Sequence, residues 1–214
     1  MCPLPKRFFD PVDSIPAKID SFDDCRWMLP DASRMLENGK PHSLIWMQPV
    51  EAEFLWECVK KRPRGTAIVE IGRCEGGSTI LMGAAKNPED ALISIDIDPV
   101  DDDQCLEMID HFGIENIQLR IGDSGRCDTS GVDGVGLLLI DGDHSYNGIV
   151  RDFENWFPLV VPGGMILMHD VNRFGAGQGP WKFYSECVHM EKIEPIEIKQ
   201  TLALLRKKPT RRPG

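Results

Sequence analysis

The chain lacks any run approaching the roughly 18 apolar residues that a bilayer-spanning helix needs, and its first residues, MCPLPKRFFDPVDSIP, have no apolar core of the signal-peptide kind. Both absences lead us to expect a cytoplasmic protein with no membrane partner. Basic charge is also in short supply. The 24 Lys and Arg stand against 34 Asp and Glu, a net charge of −10. That argues against nucleic acid as the main partner, because phosphate binding is driven by clustered cations. The one basic run, RKKPTRRPG from Arg206, sits in a Pro-containing tail and reads as a solvated terminus. Paired cysteines are missing too. The seven, at positions 2, 25, 58, 74, 105, 127 and 187, form no CxxC, and an odd number cannot all pair internally, which fits a reducing compartment. A length of 214 residues leaves room for one α/β domain with a short extension, and not for two substantial domains.

What is there is an alternation of two periods. Residues 1–45 carry six prolines with little periodicity, so they read as an irregular arm with one short helix. Phe54, Leu55, Cys58 and Val59 then recur at helical spacing over 51–61, and Pro63 and Gly65 end that helix. Short apolar runs follow at 67–72 (AIVEIG), 91–96 (ALISID), 116–121 (NIQLRI), 136–141 (GLLLID) and 164–170 (GMILMHD). Helical stretches are expected between them at 78–86, 102–112 and 146–157. Nearly continuous apolar strands separated by helices predict a parallel sheet buried on both faces. The last two runs, 194–199 and 201–207, are separated by Gln200 alone and can pair only antiparallel. The expected fold is α/β and doubly wound, a mainly parallel seven-stranded sheet of Rossmann-like type with a C-terminal antiparallel hairpin.

In such sheets ligands bind beyond the carboxyl ends of the strands, and the loop after the first parallel strand is the usual cradle. Here it reads Glu70-Ile71-Gly72-Arg73-Cys74-Glu75-Gly76-Gly77-Ser78. Gly72 lets the chain turn off the strand, and Gly76 and Gly77 let backbone approach a ligand. The spacing is G-x-x-x-G-G. A dinucleotide site wants G-x-G-x-x-G, and Glu70 suits the amino group of an amino-acid moiety better than a pyrophosphate. Asp96 ends the next strand, where a carboxylate can accept both hydroxyls of a ribose, with Ile97 beside it and Asp98 as runner-up. With this loop and acid, the chain resembles the class I S-adenosylmethionine-dependent methyltransferases. The resemblance implies cofactor contacts from Glu70, Gly72, Arg73, Gly76, Gly77, Ser78, Asp96, Ile97 and Asp141. It places adenine contacts at Gly122, Asp123 and Ser124.

A second constellation ends the fourth and fifth parallel strands, in IDGDHSY and MILMHD. Adjacent strands would bring Asp141, Asp143, His144, His169 and Asp170 to one rim, a cluster that repels itself unless a cation or substrate compensates. Over residues 65–207, IDGDHSYNGIVRDFENW and LVVPGGMILMHDV resemble the subfamily with macrolide sugar O-methyltransferases and cephalosporin hydroxylase. Catechol O-methyltransferases are more distantly similar. That resemblance implies a metal held by Asp141, His169 and Asp170, with His144 as general base. The relatives usually have an acid or amide where His169 stands. Magnesium prefers oxygen, so an imidazole there either points away or shifts preference toward manganese.

The chain therefore divides into an N-terminal arm, 1–45, serving as lid, substrate cover or oligomer contact, and a methyltransferase domain, 46–214. The expected activity is cation-dependent O-methylation of a small-molecule hydroxyl on a sugar, polyol-like or phenolic compound. An NAD-dependent oxidoreductase and a non-catalytic nucleoside-binding protein of the same fold are the rivals. Strand-end acids can instead cap helices, and His144 can bond to backbone at a helix start. Among the tryptophans, Trp56 and Trp156 are expected in the core, with Trp46 and Trp181 in loops near the pocket. The segment 175–180 is expected to be a substrate loop or a plain connection.

Overall fold

A computed structural model describes residues 15–35, 41–98, 102–172, 174 and 178–209. The first 14 positions of the arm, the tail arginines Arg211 and Arg212, and Gly175 and Gly177 of the expected substrate loop lie outside the described residues. The elements run β1 (Asp31–Met35), β2 (Pro41–His42), α1 (Pro49–Lys61), β3 (Ala67–Ile71), α2 (Gly77–Ala85), β4 (Leu92–Asp96) and α3 (Asp102–Phe112). They continue with β5 (Ile117–Ile121), β6 (Val135–Ile140), α4 (Tyr146–Trp156), β7 (Val160–Met168), α5 (Gln178–Cys187), β8 (Ile193–Lys199) and β9 (Leu202–Lys207).

Seven strands form one sheet in the order β5-β4-β3-β6-β7-β9-β8. The first five pair parallel, and β9 runs antiparallel to both β7 and β8, and the short connection Gln200–Thr201 allows β8 and β9 no other pairing. Because side chains alternate faces along a strand, one apolar run supplies two cores. Ile68, Leu92, Leu137, Leu139 and Leu167 pack with α1, α2, α3 and the 3-10 segment Phe22–Met28. Val69, Ile71, Ile93, Leu138, Ile140 and Ile166 pack with α4 and α5. Trp56 and Trp156 are both buried, one in each core.

Three local features differ from the sequence expectation. The strand expected at 164–170 starts earlier, at Val160, and stops at Met168, so His169 and Asp170 follow it. From Gln178 the expected loop is the helix α5, and Trp181 lies on that helix. Gly179 and Pro180 hid α5 from the periodicity, yet both fall in its first turn, where a missing N–H costs no hydrogen bond. The arm contributes a two-stranded sheet, β1 with β2, besides its short 3-10 segment.

Candidate active site

The chain reverses its direction of travel across the sheet between β3 and β6, so their carboxyl ends part at a switch point. The backbone there is tightly drawn in. The Asp141 N–H donates to the Ile71 carbonyl at 2.8 Å. Gly72 has φ +90°, and a Cβ on it would stand 2.2 Å from the Asp141 carbonyl oxygen. Only glycine fits that conformation and that approach. Above this point opens a cavity of about 400 Å³, within the range usual for small-molecule and cofactor sites.

Gly72, Arg73, Ser78, Asp96, Ile97, Gly122, Asp123, Ser124 and Asp141 all border the cavity. The Asp96 carboxylate accepts the Arg73 and Cys74 N–H groups, both at 2.8 Å, and the Asp98 N–H at 3.0 Å. It therefore shapes the loop as well as facing the cavity. Arg73 offers only its backbone there. Its side chain is fully buried and bonds to Asp102 and to the Ser94 carbonyl. Ser124 is held from behind by α4, its hydroxyl donating to Asp152 at 2.6 Å and its carbonyl accepting from Asn155 and Trp156.

Glu70, Gly76 and Gly77 stand outside the cavity wall. Glu70 is fully buried and accepts the hydroxyls of Ser78, Thr79 and Ser94. Burial pushes its pKa up, an effect that the three hydroxyls partly offset. It sits beneath the loop and positions Ser78. A Cβ on Gly76 would press on Cys105 of α3, and one on Gly77 on the Leu44 carbonyl at 2.2 Å. Their smallness serves packing rather than the approach of a ligand.

At the rim beside Asp141, His144 Nε2 lies 3.6 Å from Asp141 Oδ1 and 3.4 Å from Asp170 Oδ2. Ligand atoms of these three residues lie within 4.8 Å of one another, a span that one ion with bonds of about 2.0–2.2 Å can bridge after small rotamer adjustments. The two carboxylates supply oxygen donors that fit a divalent cation such as magnesium or manganese, with the imidazole beside them in the proton acceptor's place. The hydrogen bond to Asp141 raises the His144 pKa, with a further pull from Asp170.

His169 backs this trio, its Nδ1 facing both carboxylates and lying 3.8 Å from Asp170 Oδ2. Its ring is 6% exposed, with Nδ1 3.0 Å from Asp141 Oδ1 and Nε2 3.5 Å from Glu51 Oε2. Burial alone would lower its pKa, but the two carboxylates outweigh burial and raise it to about 10. Both ring nitrogens thus face carboxylates, a placement suited to orienting Asp141. Burial likewise acts against the Glu51 carboxylate, but His169, Thr201 and Gln48 hold its pKa down at about 2.

Trp46 borders the cavity as expected, while several wall residues had no sequence motif to announce them: Leu44, Ile45 and Met47 of the arm and its junction, and Arg151 and Asp152 of α4. Trp46 Nε1 donates to Glu75 across the loop. Asp152 did leave a signal. Ile149, Asp152, Phe153 and Trp156 fall at i, i+3, i+4 and i+7, and an acid inside an apolar stripe marks a polar neighbour in the fold. Glu51 does the same in the stripe Glu51, Leu55, Cys58, Val59. Tyr146 and Asp143 are engaged locally, Tyr146 with Glu186 and Asp143 with Ser145, the N-cap of α4.

Residues 69–171 match the family model described as a methyltransferase domain. That span runs from β3 to just past β7 and holds both the cavity loop and the acidic rim. Among solved structures, the chain is similar to the O-methyltransferase TomG from Streptomyces achromogenes, involved in tomaymycin synthesis and solved with S-adenosylmethionine. The TM-score is 0.67 at 15% identity, over 90% of this chain and 91% of that one. It is also similar to an O-methyltransferase from Bacillus cereus solved with S-adenosylhomocysteine, with a TM-score of 0.63 at 17% identity over 77% and 84%. Identities this low speak for the fold. One curated relative, the uncharacterized protein y4gI of Sinorhizobium fredii, is 40% identical over 52 residues, which are 24% of this chain and 6% of that protein. The chain thus spans a small part of that relative's length. Among the described residues no helix is long and apolar enough to cross a membrane.

Proposed function

We propose that this chain, an S-adenosylmethionine-dependent methyltransferase across residues 69–171, methylates a hydroxyl group of a small molecule at the rim formed by Asp141, His144 and Asp170. The observation that carries this reading is the double membership of Asp141, which borders the cofactor cavity and belongs to the rim trio. An acceptor oxygen held at the trio would stand next to whatever part of the cofactor faces Asp141. Methyl transfer from a sulfonium is an in-line displacement, so holding oxygen, carbon and sulfur in one line is most of the catalytic task.

In this reading the loop from Gly72 to Ser78 cradles the methionine moiety, with Glu70 fixing Ser78 from below. Asp96 accepts the ribose hydroxyls, and Ile97, 75% exposed at the cavity edge, flanks the base with Gly122, Asp123 and Ser124. Asp141 and Asp170 would hold a divalent cation, magnesium or manganese, which supplies charge that lowers the acceptor hydroxyl's pKa. His144 takes the proton, the freed oxygen attacks the methyl carbon, and the carbon–sulfur bond breaks with its electron pair left on sulfur. Asp141 and Asp170 then stabilise the imidazolium. The net charge of −10 supports a small-molecule acceptor over nucleic acid.

Melting curves with S-adenosylhomocysteine, with and without millimolar magnesium or manganese, test the reading. The demethylated cofactor should stabilise the native chain, and either cation should add to that. Asp141→Asn should lose the cation increment and keep the cofactor response. His144→Ala should keep both and lose roughly 10²–10⁴-fold in turnover once an acceptor is in hand. A cation increment unchanged in Asp141→Asn would remove the metal from the mechanism while leaving the methyltransferase in place.

A further inference from the structure

Glu51 lies in the first turn of α1, 2% exposed, far in sequence from every motif of the site. Three donors lock its carboxylate: Oε1 accepts the Thr201 N–H at 2.7 Å and the Thr201 hydroxyl at 2.8 Å, and Oε2 accepts the Gln48 N–H at 2.8 Å. Oε2 also faces His169 Nε2 at 3.5 Å, and the other ring nitrogen meets Asp141 at 3.0 Å. Turning that ring over would set a carbon against each acid, so the two carboxylates select one ring orientation. A packing role does not explain the set, because an apolar replacement of a buried ionic group is often neutral or stabilising. What the ionic set supplies, and an apolar one would not, is a directed N–H on Asp141.

We propose that Glu51 and His169 are positioning residues, which hold the Asp141 carboxylate at the rim it shares with the cofactor cavity and tie that rim, through Gln48, to the wall segment 44–47. The inference rests on the reading of Asp141 given above. It assigns His169 to orienting an acid rather than to ligating a cation, and it gives the start of α1 and the β8–β9 turn a part in the site.

The test uses the full chain as wild type, Glu51→Gln, His169→Leu, His169→Asn and Asp141→Asn. Calorimetry follows S-adenosylhomocysteine, electron paramagnetic resonance follows Mn²⁺, and nitrogen-15 spectra follow the imidazole N–H protons. Mn²⁺ affinity should fall about 10–100-fold in Glu51→Gln and His169→Leu, a larger loss than any in cofactor affinity. His169→Asn should recover most of it, since its amide N–H can take the place of Nδ1–H. Wild-type Mn²⁺ affinity in His169→Leu would overturn the proposal. If the wild type binds the cofactor but no Mn²⁺, the cation reading fails and the spectra decide on positioning. An exchange-protected Nδ1–H proton, lost in His169→Leu and shifted in Asp141→Asn, upholds it, and its absence from the wild type overturns it. Should Glu51→Gln not fold, the contrast between His169→Leu and His169→Asn carries the same decision.

Discussion

Asp152 shows how the cavity taxes individual residues. It is 4% exposed on the apolar stripe of α4, and burial raises its pKa to about 6, with the Ser124 hydroxyl pulling the other way. An unfolded aspartate titrates near 3.9, so between about pH 4 and pH 6 the native state keeps a proton that the unfolded chain has released. The cost of ionising it is absent below that window and complete above it, about 3 kcal/mol at most at 1.36 kcal/mol per unit. Asp152→Asn keeps an acceptor for Ser124 and removes the charge. Its melting midpoint should exceed the wild type's at pH 7.5 by several degrees, at roughly 2–4 °C per kcal/mol, and the gap should close as pH falls to 4. A gap that does not vary with pH would assign the effect to something other than ionisation. Asp96 is held differently, by three backbone N–H groups. Asp96→Ala should weaken S-adenosylhomocysteine binding about 10–150-fold, the factor for 1.5–3 kcal/mol of charge-assisted bonding. It should also loosen the loop, because the Arg73, Cys74 and Asp98 N–H groups lose their acceptor. Calorimetry on Asp96→Ala and Asp96→Asn separates the charge from the acceptor, and equal wild-type affinity in both would remove Asp96 from the cofactor site.

Among the elements, the meeting of α2 with the wall segment 44–47 is the one most open to test. Gly77 starts α2 directly against the Leu44 carbonyl. A methyl there meets backbone on the other side, which cannot swing aside as a flexible side chain can. Gly77→Ala should therefore push the wall segment away from α2, at a cost of about 1–3 kcal/mol in stability. Cofactor binding should weaken with it, because Leu44, Ile45, Trp46 and Met47 border the cavity. Denaturant melts and cofactor calorimetry read the two effects together. A destabilised variant with unaltered cofactor affinity would show that the wall does not depend on this contact. The acidic stripes of α1 and α4 belong to the same scale. Each helix turns one carboxylate inward among apolar residues, and each of those carboxylates ends at the site, Glu51 through His169 and Asp152 through Ser124.

At the scale of the molecule, the parts of the site come from both sides of the switch point. The loop after β3 and the acid ending β4 lie on one side, and the ends of β6 and β7 on the other. A ligand spanning the crevice should therefore stabilise the whole fold rather than one half. S-adenosylhomocysteine at a hundred times its dissociation constant should add about 2.7 kcal/mol, which for a chain of this length is a rise of roughly 5–11 °C in a single transition. Calorimetric scans showing two separate transitions, only one of them shifted, would mean that the halves do not melt as one unit.

How much of this the sequence carries depends on the range of the interactions concerned. Strand and helix positions in the sheet, the parallel order and the closing antiparallel pair follow from local periodicity and connection length, which is why the strands from β3 to β9 lie within a few residues of their expected places. The G-x-x-x-G-G loop and strand-end acids were legible for the same reason, since a strand end delivers its residues to a known rim. Other features lay beyond local pattern. Glu70 turned beneath the loop because three hydroxyls from two other elements converge on it. His169 is fixed behind the rim carboxylates because Glu51, on a helix that periodicity alone placed in the core, holds its far nitrogen. The helix α5 escaped notice because its glycine and proline read as loop until their first-turn positions are known. Contacts between residues remote in the chain set side-chain direction, and no window of sequence contains both partners. The amino-acid pattern determined which residues reach the rim, and tertiary packing decided which way each of them faces.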